Sequence, residues 1–481
     1  MKKRIIIPAI GLLFAACTKD ISSYNAQTKA ASSAPASTLF SNAVRNLSDQ
    51  LASSNVNVNI FRLTVQHWTT TTYTDEPNYD FTTRNIPGAW WTFLYRDVLS
   101  DLNESKRLVN LDASLTAGSK KMQVAIADIM QVYTYKILVD DFGNIPYSES
   151  LDYNILFPKY DDAKTIYDDL LKRLNDDLGA LDPNETPFPA KQDLLYGSVS
   201  SDPARVRAWI KFANSLKLRI AITLADVDPA KAKSAFEQAD AGAFSSASDN
   251  ALFKYYAVTP NNNPVWTDLV QAKRQDFIAA DALMSKMNAL SDPRISLYFR
   301  PNDNGQYVGG TAGASNPYGL YAKPSDKMIA MDFPSVLLDY TEVEFYRAEA
   351  AERGYSITGT AEQHYNNAIT SSIIYWGGSA AQAAAYLANP AVAYSTASGT
   401  YKEKIGTQAW IGLYNRPYEA WTQYRRLDYP VLPAPARPKS GFPNRMTYPG
   451  SEQQLNPSNY TDAASKIGGD KVETKLFWDK F

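Results

Sequence analysis

The chain alternates between segments whose apolar residues recur every three to four positions and long segments in which no period holds. The first kind predicts amphipathic helix. In SDPARVRAWIKFANSLKLRIAITLADV, Val206, Trp209, Ala213, Leu216, Ile220 and Leu224 fall on one face. Ser201 or Asp202 is placed to cap that helix, and Pro203 suits its first turn. Arg207, Lys211 and Arg219 lie off the stripe and are expected on a solvated face. In PSVLLDYTEVEFYRAEAAERGY, Val336, Tyr340 and Val343 make a ridge, and Ala348, Ala350 and Ala351 allow a neighbouring helix to come close. Glu349 and Arg353 form an i,i+4 pair in the favourable order, and Gly354 ends the helix.

These stretches come in pairs. Pro87–Val109 precedes Lys120–Asp140, Asp161–Leu181 precedes Pro203–Ala225, the segment from 335 precedes Thr360–Trp376, and Thr400–Leu413 precedes Tyr418–Leu427. Short turns between helices predict antiparallel neighbours. Four pairs, near 87–140, 161–225, 335–376 and 400–427, predict a mainly α-helical, tetratricopeptide-like body, although no strict repeat of about 34 residues is present. Residues 66–84, 245–334 and 428–481 are loop-rich, with Pro, Gly, Asn and many aromatics; short strands are expected within 298–333. Irregular segments of that length in a compact protein are usually functional.

The amino terminus has a different pattern. Lys2, Lys3 and Arg4 precede an uncharged run, Ile5 to Ala16, and then Cys17, the only cysteine. A basic head, a short apolar centre and small residues before a cleavage point make a secretory leader, and the run is shorter than the roughly 20 residues that span a bilayer. Leu13-Phe14-Ala15-Ala16-Cys17 resembles a bacterial lipobox. That resemblance implies removal of residues 1–16, a lipid on the Cys17 thiol and a membrane anchor, because each buried acyl CH₂ contributes about 0.8 kcal/mol. Residues 18–37, rich in Ser, Ala and Thr, read as a flexible tether, and 38–481 as one folded domain.

Composition narrows the chemistry. The formal charge of −2 becomes −5 once Lys2, Lys3 and Arg4 are removed, and no basic cluster suggests nucleic acid. His67 and His364 are the only histidines, so a His/Cys metal cluster is excluded; no metal and no cofactor are expected. There is no Gly-x-Ser-x-Gly elbow and no phosphate-binding Gly-rich loop. Ser248-Asp249-Asn250 lacks any Ser-x-x-Lys partner and reads as loop. Thirty-one tyrosines and nine tryptophans exceed the needs of a core and hint at a gripping surface.

Four stretches together resemble the SusD/RagB family of nutrient-binding outer-membrane lipoproteins, in its SusD-like branch. They are DDFGNIPYSESLD with PKYDDAKTIYDDLLKRLNDDL, WIKFANSLKLRIA, DYTEVEFYRAEAAERG, and IGTQAWIGLYNRPYEAWTQYRRLDYPVL; LSDPRISLYF and YPGSEQQLN add support. The resemblance covers nearly the whole mature chain. It implies a helical body with four tetratricopeptide-like pairs and a loop-rich ligand face. It also implies a non-enzymatic protein on the outer face of the outer membrane that captures a glycan or other large nutrient for a SusC-like TonB-dependent transporter. On the residues themselves, Gly143 and Pro146 of DDFGNIPY are expected to turn the chain, with Asp140 and Asp141 capping that turn. Arg425 and Arg426 are expected to pair with carboxylates in the body.

A sugar presents an apolar C–H face and a rim of hydroxyls, which suits flat aromatics bordered by Asn, Asp, Gln and Arg. QHWTTTTYTDEPNYDF supplies Trp68, Tyr73 and Tyr79 with Asp75 and Asn78. YFRPNDNGQYVGGTAGASNPYGLY supplies Tyr307, Tyr318 and Tyr321 with Asn302, Asp303 and Asn304. YYAVTPNNNPVW adds Tyr256 and Trp266, although Asn263-Pro264-Val265-Trp266 has the form of a structural turn. The family's ligand-contacting aromatics come from regions placed like the first two. NDNG lacks the acidic spacing of a calcium loop. Other readings stay open: a peptide ligand, a tetratricopeptide scaffold for protein segments, or a surface glycoside hydrolase, which needs two carboxyls about 5–9.5 Å apart.

Overall fold

Helix α1 (Ala36–Ala52) begins inside the stretch read as tether. The computed structural model describes residues 34–481; the leader, Cys17 and residues 18–33 lie outside the described residues. Helix α2 (Ile86–Thr92) runs through a π-helical segment, Phe93–Leu99, into α3 (Ser100–Leu111). There follow α4 (Ala117–Phe142), α5 (Ala163–Ala180), α6 (Asp202–Thr223) and α7 (Pro229–Asp240). After a long loop-rich stretch come α8 (Tyr340–Glu352), α9 (Ala361–Tyr375), α10 (Tyr401–Gly412) and α11 (Pro417–Leu427).

Side-chain caps set where many of these helices start. Thr116, Asp162, Asp228, Asp339 and Thr400 each accept the N–H three residues on, and Thr360 forms a reciprocal box with Gln363. Ser201 precedes α6 without a capping bond, and Pro203 sits in the first turn. Within the body α3 packs on α4, α5 on both α4 and α6, α8 on α9, and α10 on α11. Packing therefore also crosses between the predicted pairs, and α7, which the periodicity left unassigned, closes against α6. Residues Ala36–Phe481 form one compact unit.

Four antiparallel clips of two to four residues fasten the loops to this body: Trp68–Thr70 with Phe277–Ala279, Ile145–Pro146 with Tyr160–Asp161, Ala251–Phe253 with Ser335–Leu338, and Phe299–Arg300 with Lys323–Pro324. The core is aromatic. Phe61 meets Trp90, Tyr418 and Trp421 with ring centroids 5.0–5.1 Å apart, joining the 61–64 turn to α2 and α11.

Several polar expectations are corrected by burial. Arg219 is not solvated. It is buried between Glu342 (2.6 and 2.9 Å) and Glu419 (2.9 Å), because α6 turns that side against α8 and α11. Asp140 and Asp141 do not cap the turn after α4. Asp140 takes the Lys136 amine and the Tyr167 hydroxyl, and Asp141 accepts Trp90 Nε1 at 2.6 Å. Burial pushes the Asp141 carboxyl well above the carboxylate range. Arg426 pairs with Glu349 as expected, whereas Arg425 gives its guanidinium to the carbonyls of Asp140 and Asn444 and lies on the Trp421 ring.

Where α4 meets α5, Asp128 binds both Arg173 (2.7 and 2.9 Å) and Lys106. Burial, reinforced by the charge on Asp128, pushes the Asp177 carboxyl up to about 9. The folded chain thus keeps a proton that the unfolded chain releases above its ordinary value of 3.8. A raised carboxyl lowers stability as pH climbs between those two values. Asp177→Asn is expected to raise stability at neutral pH and flatten this fall, read by urea denaturation at about pH 5, 7 and 9. Parallel pH profiles for variant and parent would contradict this.

Candidate functional site

The loop-rich segments form one stitched face, built outward from the Trp68–Thr70 clip. Trp68 pairs with Ala279 and Thr70 with Phe277, and all three residues of Trp68–Thr70 are buried. Thr71 extends the pairing, donating its N–H to Asp276 O and its hydroxyl to Gln275 O, both at 2.9 Å. The chain then emerges at Thr72 and Tyr73, and Tyr73 is 55% exposed. It returns through the turn Glu76–Asn78, and Tyr79 takes a left-handed conformation (φ 66°) that carries its ring back inside.

Three buried asparagines weld the loops. Asn78 donates to Thr74 O (2.7 Å) and Gly313 O (2.8 Å) and accepts Arg437 N–H (2.7 Å), while its carbonyl accepts Lys439 N–H (2.7 Å). Asn316 donates from its amide to the carbonyls of Thr70, Thr311 and Ala314 at 2.9–3.1 Å. Asn302 accepts the N–H groups of Asn304 (3.0 Å) and Gln306 (2.8 Å) and donates to Leu320 O (2.9 Å). Residues 66–84, 302–321 and 433–440 are thereby joined into a single surface. Its outer rim carries Tyr73, Asp75, Arg274, Gln275, Ser315 and Arg437, all exposed.

The predicted aromatics divide into three groups. Trp68 and Tyr79 are buried and offer no open platform, which corrects their place in the candidate set. Trp68 is 1% exposed, donates to Tyr414 Oη at 2.7 Å and lies under the Arg62 guanidinium. The Tyr79 hydroxyl accepts Gln66 Nε2 at 3.0 Å, and burial raises it to about 12. Asn78 and Asn302, read as hydroxyl partners, likewise bond loop backbone. Tyr307, Tyr318, Tyr321 and Trp266 are half-buried. Tyr318 lies beneath the Lys323 amine (5.1 Å to the ring centre), which Asp303 holds at 2.6 Å. Trp266 ends a short helix capped by Asn263, which accepts Val265 N–H at 2.7 Å, as the structural-turn reading predicts. Tyr256 is 60% exposed but lines a separate cavity of about 350 Å³ with residues of the 190–198 segment. Tyr73 is thus the aromatic of the stitched face that is directed outward. Sequence reasoning missed Asn316, Arg274, Gln275 and Arg437; the strand pairing of 277–279 with 68–70, which brings 274–276 to the face, has no local signal.

An exposed ring on a rigid rim of amide, hydroxyl and guanidinium groups can stack a flat apolar surface and hydrogen-bond around its edge. Two substitutions separate platform from core. Tyr73→Ala is expected to leave thermal stability unchanged while weakening carbohydrate binding about tenfold, the scale of one stacking contact. Trp68→Ala is expected to destabilise the fold by about 3–5 kcal/mol, as for a large buried aromatic. The reverse pattern, measured by calorimetry and denaturation, would exchange their roles.

A helical body thus carries a welded, aromatic-bearing loop face able to grip a flat ligand. Residues 27–449 match the SusD-like family model described as "Starch-binding associating with outer membrane". The chain belongs to this SusD-like family. Its fold is similar to that of a chitin-binding protein (TM-score 0.79, 24% identity, covering 93% of this chain and 100% of the other). It is also similar to a chitin-binding SusD homolog from Flavobacterium johnsoniae (TM-score 0.77, 24% identity, 92% and 98% covered). A SusD homolog from Bacteroides uniformis superimposes with TM-score 0.75 at 26% identity over 92% and 99% of the two chains. The search among curated proteins finds no match. Among the described residues no helix is long and apolar enough to cross a membrane, and no group of His, Cys, Asp and Glu is arranged to hold a metal.

Proposed function

We propose that this protein is a lipoprotein, anchored through Cys17 and facing the cell exterior, that binds a glycan on the stitched loop face and delivers it to a SusC-like TonB-dependent transporter. The observation that carries the reading is Tyr73, held outward on a face fixed by three buried asparagines. A face assembled before ligand arrives loses little ordering entropy on binding. An open rim suits a polymer, which lies across a surface rather than entering a pocket. Capture is the whole task of such a face, and hydrolysis belongs to other proteins. The family description and the neighbours make starch and chitin fragments the first ligands to try.

The test titrates residues 18–481 with oligosaccharides of both kinds and with peptides, following tryptophan fluorescence and assaying the same samples for cleavage products. Saturable binding of an intact oligosaccharide, weakened by Tyr73→Ala, supports the reading. Binding only to peptides would move the protein to a peptide-capturing role. Release of shorter sugars would replace it with a hydrolase.

A further inference from the structure

Three lysines of the described chain are buried: Lys136, Lys217 and Lys323. Two have a carboxylate, since Lys136 binds Asp140 and Lys323 binds Asp303. Lys217, on α6 and 3% exposed, is held by Asn175 Oδ1 of α5 at 2.7 Å and Gln238 Oε1 of α7 at 3.1 Å. Both partners are neutral amides. A buried ammonium without a countercharge is unfavourable, and burial lowers its proton affinity. An ammonium carries three N–H groups; two are used here, and Lys217 lines an open cavity of about 400 Å³ between α5, α6 and α7.

The remaining lining leaves a place for a negative occupant at Lys217. Lysine only donates, so both amides must turn their oxygens to Lys217. That leaves the Asn175 NH₂ as a donor to the cavity. Of the other lining cations, Lys231 is bound to Asp168 at 2.5 Å and Lys172 to Asp176 at 2.6 Å, so Lys217 is the one lysine of the cavity without a carboxylate. Leu171 and Ala235 supply a small apolar wall, and Ser234 a hydroxyl. None of these residues belongs to the loop face.

We propose that this cavity is a second subsite that takes one anionic sugar residue, with its carboxylate or sulfate oxygens on the Lys217 amine and the Asn175 amide and its ring against Leu171 and Ala235. A cavity of this volume has room for a sugar ring. An oxyanion here completes the shell that Lys217 lacks and bonds an ionised donor, the stronger class of hydrogen bond. That the occupant is a sugar rests on the nutrient-binding reading; the oxyanion preference does not.

The intact chain in detergent is titrated calorimetrically with glucuronate, glucose 6-sulfate, glucose and acetate. Glucuronate or the sulfated sugar is expected to bind at concentrations where glucose and acetate do not. Lys217→Met is expected to weaken that binding by at least about tenfold, the scale of one charged hydrogen bond, and so is Asn175→Asp, which sets a carboxylate against the Lys217 amine. Asn175→Asp, at an exposed position, keeps the test valid if Lys217→Met fails to fold. Tyr73→Ala is expected to leave this binding unchanged, so failure of the loop face and failure of this subsite are distinguishable. Equal binding of glucose, binding of acetate as tight as glucuronate, or full affinity in both variants overturns the proposal.

Discussion

Glu342→Ala is expected to destabilise the folded chain by about 3–5 kcal/mol, the usual result of removing one partner from a buried ion pair. Domains of ordinary stability have only about 5–15 kcal/mol in total. Glu342 is 1% exposed at the start of α8 and receives two bonds from Arg219, one from Arg416 and one from the Tyr346 hydroxyl at 2.6 Å. It ties α6, α8 and the residue that opens α11 into one network. Burial alone pushes its carboxyl upward, but Arg219 and Arg416 outweigh that and hold it below the usual range. Such a carboxylate contributes stability above the unfolded value of 4.5, and the contribution is lost as pH falls through the lower folded value. Alanine leaves Arg219 with Glu419 and Arg416 with Asp339, each guanidinium half-satisfied in the core. Tyr346→Phe, which removes a neutral hydroxyl that donates to Glu342 and accepts Gln423 Nε2 at 3.0 Å, is expected to cost less, about 1–2 kcal/mol. Urea denaturation near neutral pH measures both. Equal, small losses would mean that the network contributes nothing beyond its packing.

This network marks the limit of what the sequence discloses. The apolar stripe of α6 and the ridge of α8 are legible because burial repeats with the helical period. Arg219 lies off that stripe, and the period cannot say that a second helix covers its other side. The same holds at the loop face. Its segments were recognisable from their Pro, Gly, Asn and aromatic content, but which aromatic points outward depends on turns several residues away. Trp68 is drawn inward by pairing with Ala279, some two hundred positions on, and Tyr79 by a single left-handed backbone angle. Composition assigned Asn78 and Asn302 to ligand. In the fold they satisfy loop carbonyls and amides that would otherwise be buried without partners.

Asn78 therefore carries the second large expectation. Asn78→Ala removes two donors and one acceptor whose partners, Thr74 O, Gly313 O and Arg437 N–H, come from three stretches of the face. Each buried group left unsatisfied costs about 1–3 kcal/mol, so the loop arrangement is expected to lose roughly 2–5 kcal/mol. The loss is local, because none of these partners lies on the packed helices. Amide exchange in 311–316 and 435–440 is expected to quicken while α4, α6 and α8 keep their protection. Carbohydrate affinity is expected to fall by more than the tenfold of Tyr73→Ala, since the whole rim is displaced and not only one ring. Gly313→Ala reaches the same end from the other side. Its φ of +73° disfavours a side chain, and a Cβ there would stand 2.0 Å from Asn78 Oδ1. If both variants bind carbohydrate as the parent does while exchange in these loops accelerates, the stitched face is not where the ligand sits.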